Sequence, residues 1–191
     1  SLSRSTTITG LAQPSESLLN RTLHILSLCV SRSDDISIDA SSTALAQLFP
    51  LLSPSKQEET VRTWFSHLRD SWRMPTGRGQ ILALGTVFKQ LAAQSDVQEN
   101  IITEILHYTG KEEVIEKRVA AVKCLATGIL PYMGNTSCSL AGTKKANKIL
   151  ATTNTVASNF VDFLNDYTTD RRGDIGSLIR VEAIQAVGIL L

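Results

Sequence analysis

A short pattern that occurs twice constrains this chain more than any other feature. Arg118-Val119-Ala120-Ala121-Val122 and Arg180-Val181-Glu182-Ala183-Ile184 carry Arg, Val and Ala at equivalent places, and both run on into apolar and small residues. The second half of the unit recurs as Ala83-Leu84-Gly85, Cys124-Leu125-Ala126 and Ala186-Val187-Gly188. The first two of these lie about 41 residues apart, inside the ~40 to 47 of paired-helix repeats, and the next spacing is about 62. A loop-like insertion around 132–148 accounts for the excess. A helix pair cannot cover its apolar faces alone, so small residues that admit the next pair at close range are what such a repeat needs.

Hydrophobic spacing fills in the helices. Leu18, Leu19, Leu23, Ile25, Leu26 and Cys29 recur at three- and four-residue steps and predict a helix ending near Val30. Ser31 to Ile38 reads as polar, and Ala44, Leu45, Leu48 and Phe49 as a short helical face that Pro50 and Pro54 interrupt. Ser55 is the expected cap of the next helix, with Glu58 completing a capping box. Further helices are predicted from Arg78 to Gln94, from Ser95 with Gln98 at its capping-box position to a left-handed Gly110, and from Val114 to Pro131. A loop over 132–142 precedes helices from Lys144 to Leu164 and from Asp174 onward, separated by a polar turn. No segment alternates like a strand. The expected fold is all-α, a HEAT/armadillo-like solenoid of antiparallel helix pairs in which 1–191 form one segment. A chain that opens at Ser1 without Met and stops in the apolar run ending at Leu191 predicts a piece of a longer protein.

The residues offer little chemistry. Lys plus Arg total 19 against 18 Asp plus Glu, so the basic excess of a nucleic-acid binder is missing and no nucleic-acid partner is expected. No apolar run reaches the ~18 residues of a membrane span, so no insertion is expected either. Cys29, Cys124 and Cys138 are odd in number and widely spaced, which predicts free thiols in a reducing compartment. His24, His67 and His107 lie too far apart for metal-ligand or nucleophile-base spacing. No catalytic residue, metal or cofactor is expected, and the chain is read as a binding protein rather than an enzyme.

Two basic clusters, Lys144-Lys145-Lys148 and Arg171-Arg172, mark a candidate surface for an acidic partner, because the turns of a solenoid line an edge of the array. Asp174, after Gly173 and ahead of an apolar helix, is the expected cap of that helix, and Arg180 is expected to reach an acid in an adjoining repeat. Arg172 is expected to bond back to Asp170 or to a neighbouring helix end, leaving Arg171 as a free surface charge.

One stretch goes beyond a generic repeat. Asp166, Tyr167, Thr168, Thr169, Asp170, Arg172, Gly173, Asp174, Gly176 and Arg180 match, in order, a motif that resembles a segment of the tubulin-folding cofactor D family, which are HEAT-repeat tubulin chaperones. Gly79 to Leu91 and Lys117 to Leu130 look like other helices of that family, so the resemblance covers about a third of the chain. It implies an internal block of a larger scaffold that binds β-tubulin. It further implies work with cofactors C and E and an Arf-like small GTPase to assemble or dismantle the αβ-tubulin heterodimer, in a cytoplasmic, microtubule-associated setting. GTP hydrolysis by tubulin would be promoted by the assembly, with the motif residues mainly structural. The alternative is a HEAT or armadillo adaptor unrelated to tubulin.

Overall fold

Helices account for 78% of the computed structural model, which describes residues 14–91, 94–133 and 144–190. Among the described residues there are eight: α1 (Glu16–Val30), α2 (Asp35–Leu48), α3 (Pro54–Asp70), α4 (Arg78–Val87), α5 (Ser95–His107), α6 (Ile115–Lys123), α7 (Lys144–Leu164) and α8 (Gly176–Leu190). Short 3-10 turns follow α2 (Phe49–Leu51) and α4 (Phe88–Leu91), and α6 runs on through a π-helical stretch, Cys124–Ile129. Between α7 and α8 lies the only sheet among the described residues, two antiparallel two-residue strands, β1 (Thr169–Asp170) and β2 (Gly173–Asp174). The all-α expectation holds.

Capping chemistry explains where several helices begin, and four sequence expectations are corrected. α2 is much longer than its apolar face suggested, because the Asp34 carboxylate accepts from Ser37 N at 2.8 Å and starts the helix inside the polar stretch. Within α2 the buried Ser41 satisfies its hydroxyl on the carbonyls of Ser37 and Ile38. α3 is capped by Ser53, not Ser55: Ser53 Oγ accepts from Lys56 N at 3.3 Å, and Pro54 takes the first helical position, where a missing N–H costs nothing. Gln98 builds no capping box; its side-chain amide donates instead to Phe88 O at 2.9 Å. Gly110 is not left-handed either. Among the described residues the positive-φ glycines are Gly77, which precedes α4, and Gly173 in the sheet turn.

Pro131 does not end its helix, which continues to Met133. The wider π turn just ahead of it eases the clash a proline ring makes with the carbonyl one turn earlier. The expected 132–142 loop therefore starts later than Tyr132, and the rest of it lies outside the described residues.

Even-numbered helices pack in chain order, α2 on α4, α4 on α6 and α6 on α8, while α1 lies against α2, α7 against α8, and α3 against α5. One continuous core runs through them, with Val30, Leu45, Trp64, Leu84, Tyr108, Leu125, Phe160 and Ala183 all buried. The small residues of the repeat set the spacing. A Cβ on Gly85 would stand 2.9 Å from Cys124 Sγ, and one on Gly128 would stand 2.6 Å from the Gly85 carbonyl oxygen, so α4 and the π stretch touch backbone to backbone. Burial at that contact pushes the Cys124 thiol up to about 12, leaving it inert as a nucleophile.

Turns on one edge are tied across successive helix pairs. Arg78 pairs with Asp35 at 2.8 Å, Arg73 with Glu112 at 3.1 Å and Arg172 with Glu116 at 3.0 Å. Beneath them, the fully buried Lys117 ammonium donates to Ser71 O at 2.5 Å and Ser71 Oγ at 3.0 Å, and stands 5.3 Å from the centre of the Tyr108 ring. The Glu113 carboxylate is also buried, 3.8 Å away. Desolvation holds Lys117 below the usual lysine range, with Glu113 pulling it back up.

Gly128→Val should lower stability by about 1–3 kcal/mol, because the new side chain must displace the Gly85 backbone. Urea denaturation of the variant checks this. A midpoint equal to that of the parent chain would show that α4 and the π stretch are not in close contact.

Candidate functional site

Asp166 organises the turn between α7 and α8. It is 3% exposed, and both carboxylate oxygens and its carbonyl are engaged. Oδ1 accepts from Thr168 N at 2.9 Å and from Thr168 Oγ1 at 2.6 Å, Oδ2 accepts from the buried Arg118 guanidinium of α6, and the carbonyl accepts from Arg180. Burial pushes the carboxyl pKa up, but the Thr168 and Arg118 hydrogen bonds outweigh it and hold the group below the ordinary aspartate value.

Arg180 completes a second, more exposed cluster. Its guanidinium donates to Asp174 Oδ2 at 2.6 Å and lies over the Tyr167 ring, 4.5 Å from the centroid. Asp174 caps α8 as expected, Oδ1 accepting from Ser177 N at 3.1 Å, and the Arg180 bond is the main reason its pKa is lowered. The acid that Arg180 reaches thus belongs to its own helix start. The ion pair between neighbouring repeats is made by its repeat equivalent, Arg118, to Asp166.

Each glycine of the motif has its own reason. Gly173 has φ +107, a conformation that side-chain-bearing residues rarely adopt, with open space around it. Gly176 has ordinary dihedrals but no room: a Cβ there would stand 2.4 Å from Asp166 O. Thr169 pairs with Asp174 across the two strands, and Asp170 with Gly173. Arg172 bonds back as expected, with Nε 2.9 Å from Asp170 Oδ2 and Nη1 3.0 Å from Glu116 Oε1 on α6. Arg171 is exposed at the tip and has no ion pair among the described residues.

The matched motif residues are therefore gathered at one turn. The two basic clusters are not. Lys144, Lys145 and Lys148 stand at the start of α7 and Arg171-Arg172 beyond its end; with 21 residues at ~1.5 Å each, the helix separates them by roughly 30 Å. The side chains of those lysines lie outside the described ones. Arg172, neutralised by Asp170 and Glu116, adds little to any positive field, so the available basic charge at this turn is Arg171. Sequence reading missed Arg118 and Glu116 as partners of the turn; the signal available was that Arg118 occupies the same repeat position as Arg180.

Elsewhere the described surface carries two grooves between helices. One of about 330 Å³ separates α3 from α5 and is flanked by the Arg69–Glu104 pair; another of about 270 Å³ lies between α1 and α3, with His24 and His67 on opposite walls. Among the described residues no group of His, Cys, Asp or Glu is placed to hold a metal ion, and no helix is long and apolar enough to cross a membrane. Comparison with known proteins returned no matching family model, no matching curated protein and no matching solved structure.

Asp166→Ala should destabilise the chain by about 3–5 kcal/mol, because it strands the buried Arg118 charge, and calorimetry would read this directly. An effect as small as that of Arg172→Ala would show the pair to be dispensable. Since Asp166, Asp170 and Asp174 all have lowered folded-state pKa values, their stabilisation is present above the ordinary value of about 3.9 and lost as pH falls through the depressed ones. The melting temperature should therefore fall on acidification below about pH 4, and fall less steeply in Asp166→Asn.

Proposed function

We propose that this chain is a HEAT/armadillo-like segment that acts by binding other proteins and catalyses no reaction. The observation that carries the reading is the serial packing of α2, α4, α6 and α8, each on the next, with arginine–acid pairs tying successive turns along one edge. Such an arrangement is a rigid backing for a contact surface.

The partner we propose is tubulin, in a scaffold that assembles or dismantles the αβ heterodimer with cofactors C and E and an Arf-like GTPase, in the cytoplasm. This narrower reading rests on the Asp166 to Arg180 motif, and the single bonded unit those side chains form supports treating the motif as one feature. Tyr167, 69% exposed and backed by Arg180, has the rigid aromatic character common at interface centres, and Arg171, exposed in the same turn, can meet an acidic surface.

The test is surface plasmon resonance with immobilised chain and soluble αβ-tubulin, with an Arf-like GTPase as a second analyte. Saturable tubulin binding that weakens with salt, as the Debye length shortens from about 10 Å at 0.1 M, is expected. Arg171→Glu should slow association without changing the melting temperature, whereas Arg172→Glu should lower it too. Absence of tubulin binding, with other acidic proteins captured equally well, would overturn the tubulin reading in favour of an unrelated adaptor.

A further inference from the structure

The two ends of the even-helix stack differ. At the α2 end, the outward stripe is Ile36, Asp39, Ala40, Thr43 and Gln47, largely polar and all exposed. At the α8 end the outward stripe is apolar: Leu178, Val181 and Ile184 are 52%, 51% and 61% exposed, and Gly188 is exposed one turn beyond Ile184. The first end interleaves polar side chains with Ile36 and Ala40, whereas the second sets Leu178, Val181 and Ile184 in one row.

The repeat says what belongs on the α8 end. In register, Ile184 corresponds to Ile81 of α4 and Val122 of α6, both completely buried. Gly188 corresponds to Gly85. Residues four apart share a helix face, so Ile81 with Gly85 and Ile184 with Gly188 are the same face of successive repeats. In α4 that face is covered by Cys124 and Gly128, close enough that a Cβ on Gly85 would meet Cys124 Sγ at 2.9 Å. In α8 no described residue lies within 4 Å of where a Gly188 Cβ would be.

We infer that the Val181–Ile184–Gly188 face of α8 is a docking site for one further α-helix that presents small residues four apart, the chemistry that Cys124 and Gly128 present to α4. The face continues the α4–α6–α8 interface by one step. A glycine at its centre fits a close backbone approach, which a loosely held apolar ligand would not need. A second copy stacking head-to-tail would set Asp39, Thr43 and Gln47, which lie on the same stripe as Ile36 and Ala40, against this apolar face. The inference rests on the repeat reading and is independent of tubulin: tubulin binding can fail while this face is occupied, and the reverse.

A fluorescein-labelled peptide spanning 115–133 of this chain, the stretch that carries Cys124 and Gly128, serves as the probe for the full-length chain in an anisotropy titration. Saturable binding is expected. Ile184→Glu should weaken it more than about tenfold by burying an unpaired charge, and Thr43→Glu at the other end should leave it unchanged. Gly188→Leu is the discriminating variant: it adds apolar area yet should weaken binding, because it blocks the close approach. Circular dichroism melts confirm that each variant is folded. Lack of saturable binding to the parent chain, or binding that Gly188→Leu strengthens, would overturn the inference. Light scattering that shows a parent-chain dimer abolished by Ile184→Glu would also overturn it and assign the face to a second copy.

Discussion

The buried ion pair between Arg118 and Asp166 is the interaction on which the later half of the structure depends. Removing both charges from water is costly, and Coulomb attraction alone rarely repays it. Here further hydrogen bonds support the pair: Thr168 takes the other carboxylate oxygen, Thr109 O accepts from Arg118 Nε at 3.4 Å, and Arg180 takes the Asp166 carbonyl. What the pair contributes is geometry. It fixes where the chain leaving α7 must lie relative to α6, and α8 is then aimed by Gly176, which has space only for hydrogen beside Asp166.

A second constraint acts on the helix axes. Packing of α4 on α6 is closer than ordinary side chains permit, and it is achieved through glycine on both sides together with a π-helical stretch. The π turn presents Gly128 to α4 and leaves Val122 and Ala126, both buried, for contact elsewhere in the core. Because cores do not yield gradually to extra volume, the ladder of even helices holds its spacing. The ion pairs along the turn edge then operate at fixed separation, which is why exposed pairs such as Arg73–Glu112 can recur in similar positions without being individually strong.

How much of this was legible in the sequence follows from which interactions are local. Asp174 capping α8 and Arg172 bonding to Asp170 span three and two residues, and both were readable. Ser53 was passed over for Ser55 because the capping-box pattern was weighed above Pro54, whose place just inside the helix points to Ser53. Gly110 looked like a helix stop by position, but left-handedness went to Gly77, where a seven-residue turn has to reverse over the buried Lys117. The α2 start was hidden because its first turn carries no apolar stripe. The Arg118–Asp166 pair spans 48 residues, and neither residue has local features that name the other. Lys117 was illegible for a related reason: a lysine normally belongs on the surface, and only the meeting of Ser71, Tyr108 and Glu113 makes a buried place for it.

Lys117 and Arg118 are neighbours on α6, yet they point their charges in opposite senses along the stack. Lys117 reaches back to the carbonyl of Ser71, in the turn before α4, and Arg118 reaches forward to the turn before α8. Two consecutive side chains thus splint three helix pairs together. In a linear array the unfolding behaviour is set by the ratio of interface energy to the intrinsic stability of each unit, and side chains shared in this way move weight onto the interface. The pairs that meet at α6 should consequently open as one cooperative block, whereas α1 and α2, joined to α4 by packing, by Gln80 donating to Ser31 Oγ at 2.7 Å and by the Arg78–Asp35 contact, share no buried charge with it.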